Sequence, residues 1–212
     1  MDKLCLSCGE PGRRGFDSSW AHFLKMPRDH FKFRKENQLK KGDKSLKGNW
    51  DHRIAELCNK INSIGDYYTT SSCSGRVVVL KDSKEKRDDL FVFVSHDEIN
   101  IEQLKEALRK ISGEGIFYFK QDPVIIHISC KTIENCRELI NLALKSGWKR
   151  NGIISSNKRF VVELNSTEKL EFPIVKNGKI LVDEEYLKLI VKEANKKLKR
   201  SWEKIDKLSK SL

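Results

Sequence analysis

No run of eighteen apolar residues occurs anywhere in the 212-residue chain, so no helical membrane span is expected. No charged–apolar–small leader opens it either, and the expected compartment is the cytoplasm. Glycine-rich phosphate loops of the G-x-G-x-x-G or Walker type are missing. Ser112-Gly113-Glu114-Gly115 reads only as a helix stop, which leaves a doubly wound nucleotide-binding fold without support. There is no G-x-S-x-G elbow, so Ser72 and Cys73 are weak candidates for a covalent nucleophile. Cys5-x-x-Cys8 has no matching second pair. His22 and His30 follow at a spacing that zinc fingers do not use, and no metal is expected. The six cysteines are read as reduced thiols.

Acidic side chains are also short in number, with 30 Asp and Glu against 42 Lys and Arg and a net charge of +12. Such a surplus suits a polyanionic partner. A Lys- and Glu-rich thermophile surface is the competing reading, and the acidic deficit tips the balance toward nucleic acid.

Residues 1–26 are rich in Gly, Ser and Arg and show no periodicity. Residues 1–28 are read as an extension or flexible arm, with Met26 an alternative start, and residues 29–212 as the folded domain, with room for two lobes. Asp29–Lys41 is a polar, helix-like run. Trp50, Ile54, Leu57, Cys58, Ile61 and Ile64 recur at spacings of three and four, the signature of one apolar helix face. Tyr67–Arg76 (YYTTSSCSGR) reads as a polar loop between that helix and a strand over Val77–Leu80. Leu90–Ser95 returns as a second strand. Asn100-x-x-Gln103 predicts a capping box for a helix over Ile101–Ile111, and Thr132 caps another running to Lys145. Ile116–Phe119 and Val124–Cys130 are strands, and Ile153–Ser156 with Arg159–Leu164 a hairpin. Asp183 caps a final helix whose stripe runs from Leu187 through Ile190, Val191, Ala194, Leu198, Trp202 and Ile205 to Leu208. The blocks Leu90–Phe119 and Val124–Ser156 repeat the order strand, helix, Ser-Gly stop, strand. The expected fold is therefore α+β: a mixed sheet with packed helices in two βαβ-like units and a long C-terminal helix.

Three groupings offer chemistry. Thr69–Arg76 packs five hydroxyls, a glycine and an arginine together. That is a donor-rich surface for a carboxylate, ribose or phosphate, or a loop whose hydroxyls cap their own backbone. Asp43-x-Ser45-x-Lys47-Gly48-x-x-Asp51 sets a lysine beside a helix N-terminus, as an anion site or as simple capping. His96 ends a strand, where a general base fits, whereas His127 lies inside one, where a structural histidine is commoner.

In this order and spacing the motifs resemble the tRNA wybutosine-synthesizing protein 3 family. The resemblance runs from about Phe31 to Lys197. It rests on D-x-S-x-K-G-x-x-D (Asp43–Asp51), T-T-S-S-C-S-G-R (Thr69–Arg76) and His96. It continues with F-x-x-x-P-x-x-x-H-x-x-C (Phe119, Pro123, His127, Cys130), S-G-W-x-x-x-G-I (Ser146–Ile153) and S-T-x-x-L-E-x-P (Ser166–Pro173), and closes with Glu184-Glu185-Tyr186 and Ala194-Asn195. It implies an S-adenosyl-L-methionine-dependent methyltransferase without the Rossmann methyltransferase fold. The implied reaction is N4 methylation of the tricyclic guanosine derivative at position 37 of tRNA(Phe), beside the anticodon, after the aminocarboxypropyl arm is attached. On this reading Asp51 or His96 takes the proton, with His127 a further catalytic candidate. Ser71, Ser72, Ser74 and Gly75 bind the cofactor. Ser45, Lys47, Arg76, Tyr68 and Trp148 bind the substrate in the anticodon loop, the aromatics by stacking. Two rivals stand beside it: a non-catalytic basic tRNA-binding protein, and a hydrolase using Ser72 or Cys73.

Overall fold

Chain periodicity and capping chemistry account for the helices from His52 onward. A computed structural model describes residues 30–41, 51–83 and 90–212. Helix α1 spans His30–Lys40 and α2 spans His52–Ser63, burying Ile54, Leu57, Cys58 and Ile61 along one face. Asn100 and Gln103 form a reciprocal capping box on α3 (Ile101–Arg109). Thr132 and Asn135 do the same on α4 (Ile133–Lys145), satisfying N–H groups that each first turn leaves open. The 28-residue α5 (Glu184–Ser211) begins at Asp183, whose side chain accepts from the Tyr186 N–H. Every member of its expected apolar stripe is buried, and it packs across α2, α3, α4 and β4.

Among the described residues, nine strands form two sheets. The strands are β1 (Tyr67–Cys73), β2 (Arg76–Lys81), β3 (Phe91–Ser95), β4 (Ile116–Asp122), β5 (Ile125–Cys130), β6 (Arg150–Ser155), β7 (Phe160–Asn165), β8 (Leu170–Lys176) and β9 (Lys179–Ile180). Sheet A has the order β1-β5-β7-β6 and sheet B the order β3-β2-β4-β8-β9. The α+β class and the long final helix agree with the sequence reading. The single mixed sheet does not, because every neighbouring pair in both sheets is antiparallel. The reason lies in the hairpins. β3 and β4 run the same way, as a strand–helix–strand unit should, but β2 sits between them and pairs with both. β7 likewise sits between β5 and β6. Each unit is thus split by a hairpin partner that precedes it in one case and follows it in the other.

Two further differences concern polar strands. The expected loop at Tyr67–Arg76 is strand β1 as far as Cys73, its polar residues lying along the edge of sheet A. Leu170–Lys176 and Lys179–Ile180, to which the pattern assigned no element, are strands of sheet B.

Candidate active site

The chain passes between the two sheets at three places: Ser74-Gly75 joins β1 to β2, Pro123-Val124 joins β4 to β5, and residues 166–169 join β7 to β8. Gly75 has φ +99°, and a Cβ there would stand 3.0 Å from the Asp122 carbonyl oxygen and 3.3 Å from Leu198 Cδ2. Only glycine fits both the backbone and the space, so the first two crossings press directly together.

Asp51, the N-cap of α2, reaches into this seam. Its Oδ1 accepts from the Arg53 N–H at 3.2 Å. Its Oδ2 accepts from the Ser74 N–H at 3.3 Å, from the Ser74 hydroxyl, and from His96 Nδ1 at 3.1 Å. The carboxylate side chain is only 9% exposed and that of His96 25%. Burial disfavours the ionised carboxylate, but the hydrogen bonds from His96, Ser74 and the Arg53 N–H outweigh it and hold Asp51 below the usual carboxylate range. His96 is raised to about 9, first by its bond to Asp51 and then by Cys73, whose Sγ lies 3.9 Å from the same nitrogen. At neutral pH the pair is an imidazolium on a carboxylate.

A second grouping lies on the face of sheet A turned away from the core. Residues 126, 128, 162 and 164 of β5 and β7 point inward and are fully buried, so their neighbours line the other face. There, register aligns Ser71, His127, Glu163 and Gly152 in one cross-strand row, and Cys73, Ile125, Asn165 and Arg150 in the next. Ser71 Oγ is 2.7 Å from His127 Nδ1, and His127 Nε2 is 2.9 Å from Glu163 Oε2. A third row, containing Tyr68, Ser129 and Val161, is buried. Phe31 of α1 sits 5.2 Å from the Tyr68 ring, and Gln38 Nε2 donates to the Thr70 carbonyl. The helix therefore roofs one end of this face.

Beside the uncovered rows a cleft of about 380 Å³ opens at the seam, lined by Cys73, Arg76, Asp122, Arg150, Asn165 and Lys169 among others. Arg76 Nε donates to Asp122 Oδ2 at 3.0 Å, and its guanidinium stands 5.4 Å over the Phe91 ring. Cys73 touches both the cleft and His96, so cleft and ion pair are contiguous.

The structure thus brings Asp51, His96 and Ser74 together, and separately Ser71 with His127. Ser74 and Gly75 are buried, and the Ser74 donors are spent on Asp51. Ser72 is half-buried on β1, and Arg76 faces the cleft. Tyr68 is 2% exposed beneath Phe31. Trp148 is fully buried, with Nε1–H donating to the Lys204 carbonyl, and offers no ring face to a base. Ser45, Lys47, Cys5, Cys8, His22 and the extension 1–28 lie outside the described residues. Sequence reading passed over Glu163, Asp122, Arg150 and Asn165. Each is an ordinary polar residue at a strand position, and only cross-strand register or a sheet crossing sets it beside the others.

A protein-family model described as Methyltransferase TYW3 matches residues 32–212. The chain is 39% identical to a Thermococcus sibiricus protein named tRNA(Phe) 7-((3-amino-3-carboxypropyl)-4-demethylwyosine(37)-N(4))-methyltransferase, over 84% of this chain and 92% of that one. A Methanocaldococcus jannaschii protein of the same name is 40% identical, covering 72% of this chain and 81% of its own length. Among solved structures, the PH1069 protein from Pyrococcus horikoshii superposes with a TM-score of 0.76 at 37% identity, covering 85% of this chain and 92% of that one.

Proposed function

This chain belongs to the methyltransferase TYW3 family and is a tRNA(Phe) 4-demethylwyosine N4-methyltransferase of wybutosine biosynthesis, and we propose that it takes its methyl group from S-adenosyl-L-methionine and carries out the transfer on the open face of sheet A. Bound S-adenosyl-L-methionine supplies an electrophilic methyl carbon on a sulfonium. The seam fits such a group: its cleft carries side chains of both charges, and Asn165 Oδ1, buried in its wall, has no hydrogen-bond partner among the described residues. The anticodon loop is held against the same face, beside the basic side chains Arg150 and Lys169 at the cleft.

Methyl transfer would break the bond from the methyl carbon to the sulfonium as the bond to N4 forms, the donor leaving as a neutral thioether, and the N4 proton would pass to a side chain. His96, charged at neutral pH, has no lone pair to offer, and Asp51 already accepts from Ser74, His96 and the Arg53 N–H. The observation that carries the reading is the Ser71–His127–Glu163 line. With Nε2–H donated to Glu163, the Nδ1 lone pair of His127 faces the Ser71 hydroxyl, which sits on the uncovered row. Ser71 passes the N4 proton to His127, and Glu163 balances the imidazolium that results. The Asp51–His96 pair supplies fixed charge and holds the β1–β2 crossing in place. Most of the acceleration comes from orienting N4 in line with the methyl group.

Methyl transfer to tRNA(Phe) carrying the unmethylated tricyclic base tests this. His127→Gln should lower kcat by about 10²- to 10⁴-fold while leaving tRNA affinity near the wild-type value. A His127→Gln enzyme turning over at the wild-type rate removes His127 from the chemistry.

A further inference from the structure

We infer that the cleft at the sheet crossings is a seat for an α-amino-acid head group, with Arg150 taking the carboxylate and Asp122 and Asn165 taking the ammonium. The inference rests on the methyltransferase reading above. Both molecules that meet in that reaction end in the same chemistry: the donor carries a methionine tail, and the related enzymes' substrates carry a 3-amino-3-carboxypropyl arm.

Four observations converge on the seat. Arg150 is exposed at the cleft, and among the described residues it has no ion-pair or hydrogen-bond partner. A guanidinium presents paired donors that match a carboxylate, and no other described residue claims them. Register places it directly across from Asn165, whose Oδ1 is buried without a partner among the described residues, an arrangement that costs free energy unless a donor arrives. Asp122 stands at the same mouth with one oxygen held by Arg76, leaving the other for an ammonium. Lys169 lines the cleft too, but it is paired with Glu171, which it shares with Lys120, so it reinforces the positive side rather than leading it. Donors for a carboxylate and acceptors for an ammonium thus stand together, as a zwitterion requires. A lone phosphate would leave Asp122 and Asn165 opposed to it.

The seat also has an outlet in the right direction. The row holding Arg150 and Asn165 continues through Ile125 to Cys73, and the next row over carries Ser71 and His127. A ligand anchored by its amino-acid end extends along the open face toward those side chains.

Calorimetry on the full chain compares S-adenosyl-L-methionine with 5′-methylthioadenosine, which lacks the amino-acid group, for wild type and Arg150→Gln. Arg150 is exposed, so the variant should fold normally. If the seat holds the donor's tail, Arg150→Gln weakens S-adenosyl-L-methionine binding by about tenfold or more and leaves 5′-methylthioadenosine unchanged. If it holds the substrate's arm, both isotherms match wild type. The KM for tRNA(Phe) bearing the aminocarboxypropyl arm then rises by about tenfold, with no change for tRNA(Phe) whose tricyclic base lacks the arm. Either pattern supports the seat and identifies its occupant. Equal loss for ligands with and without the head group, or no change in either comparison, overturns it. A wild-type chain that binds these ligands with discrimination but methylates neither tRNA refutes the proposed reaction and leaves the seat standing.

Discussion

At the residue scale, the Asp51–His96 pair makes stability depend on pH with a definite sign. His96 is raised in the folded protein from 6.5 to about 9. Its contribution is therefore complete below pH 6.5 and is lost as pH rises through 9. Asp51 is held low, so its contribution is present above the ordinary carboxylate pKa and disappears on acidification. Urea unfolding should show wild type losing its advantage over His96→Gln, on the order of 2 kcal/mol, as pH rises past 6.5 to 9. A constant difference across that window removes the ion pair from the account. Gly75→Ala should destabilise by about 1–3 kcal/mol, because it forces a side chain into a left-handed backbone and against the Asp122 carbonyl. Urea midpoints measure it. Asp51 and His96 were legible from the sequence by type, one preceding a helix and the other ending a strand. Their partnership was not, because 45 residues separate them and only folding brings the two atoms to 3.1 Å.

At the element scale, the helices were readable because periodicity and caps are local. Asn100 with Gln103 forms the box its spacing predicts, and Thr132 caps its helix as expected, with Asn135 completing a second box. Thr132→Ala should cost about 1 kcal/mol of stability, and Leu198→Ala, fully buried beneath Gly75 on α5, about 2–5 kcal/mol. Thermal unfolding of the two variants should rank them in that order. Three strands escaped, β1, β8 and the two-residue β9, the first two for identifiable reasons. β1 is built of Tyr, Thr and Ser at a sheet edge, where polar side chains meet solvent on one face, so no apolar alternation marks it. β8 contains Pro173, which ordinarily argues against a strand. It is tolerated because β9 reaches only Val175 and Lys176, leaving Pro173 paired with Tyr118 on one side alone.

At the scale of the whole molecule, the net charge of +12 meets a tRNA substrate. Phosphate contacts release counterions, so tRNA(Phe) affinity should fall by at least about tenfold between roughly 50 and 200 mM salt. Filter binding across that range checks it, and a flat response means the basic surface is not what holds the RNA. α5 joins the whole assembly, packing on three helices and on sheet B while Leu198 supports the crossing at Gly75. The site therefore depends on a helix that contributes no chemistry to it.

The sequence by itself determined the family, the helices and their caps, the absence of a glycine-rich nucleotide fold and the basic surface. These are encoded in local spacing, composition and ordered motifs. The tertiary structure alone decided that YYTTSSCSGR divides in two. Ser71 faces His127 and Glu163 on an open sheet face, while Ser74 turns inward to Asp51 and Gly75 makes the crossing. It also decided that Arg150, Asn165 and Asp122 share a cleft and that Trp148 lies in the core. The reason is physical: strand neighbours are chosen by hydrogen-bond register between segments far apart in the chain, and no periodicity within one segment records which partner it will meet.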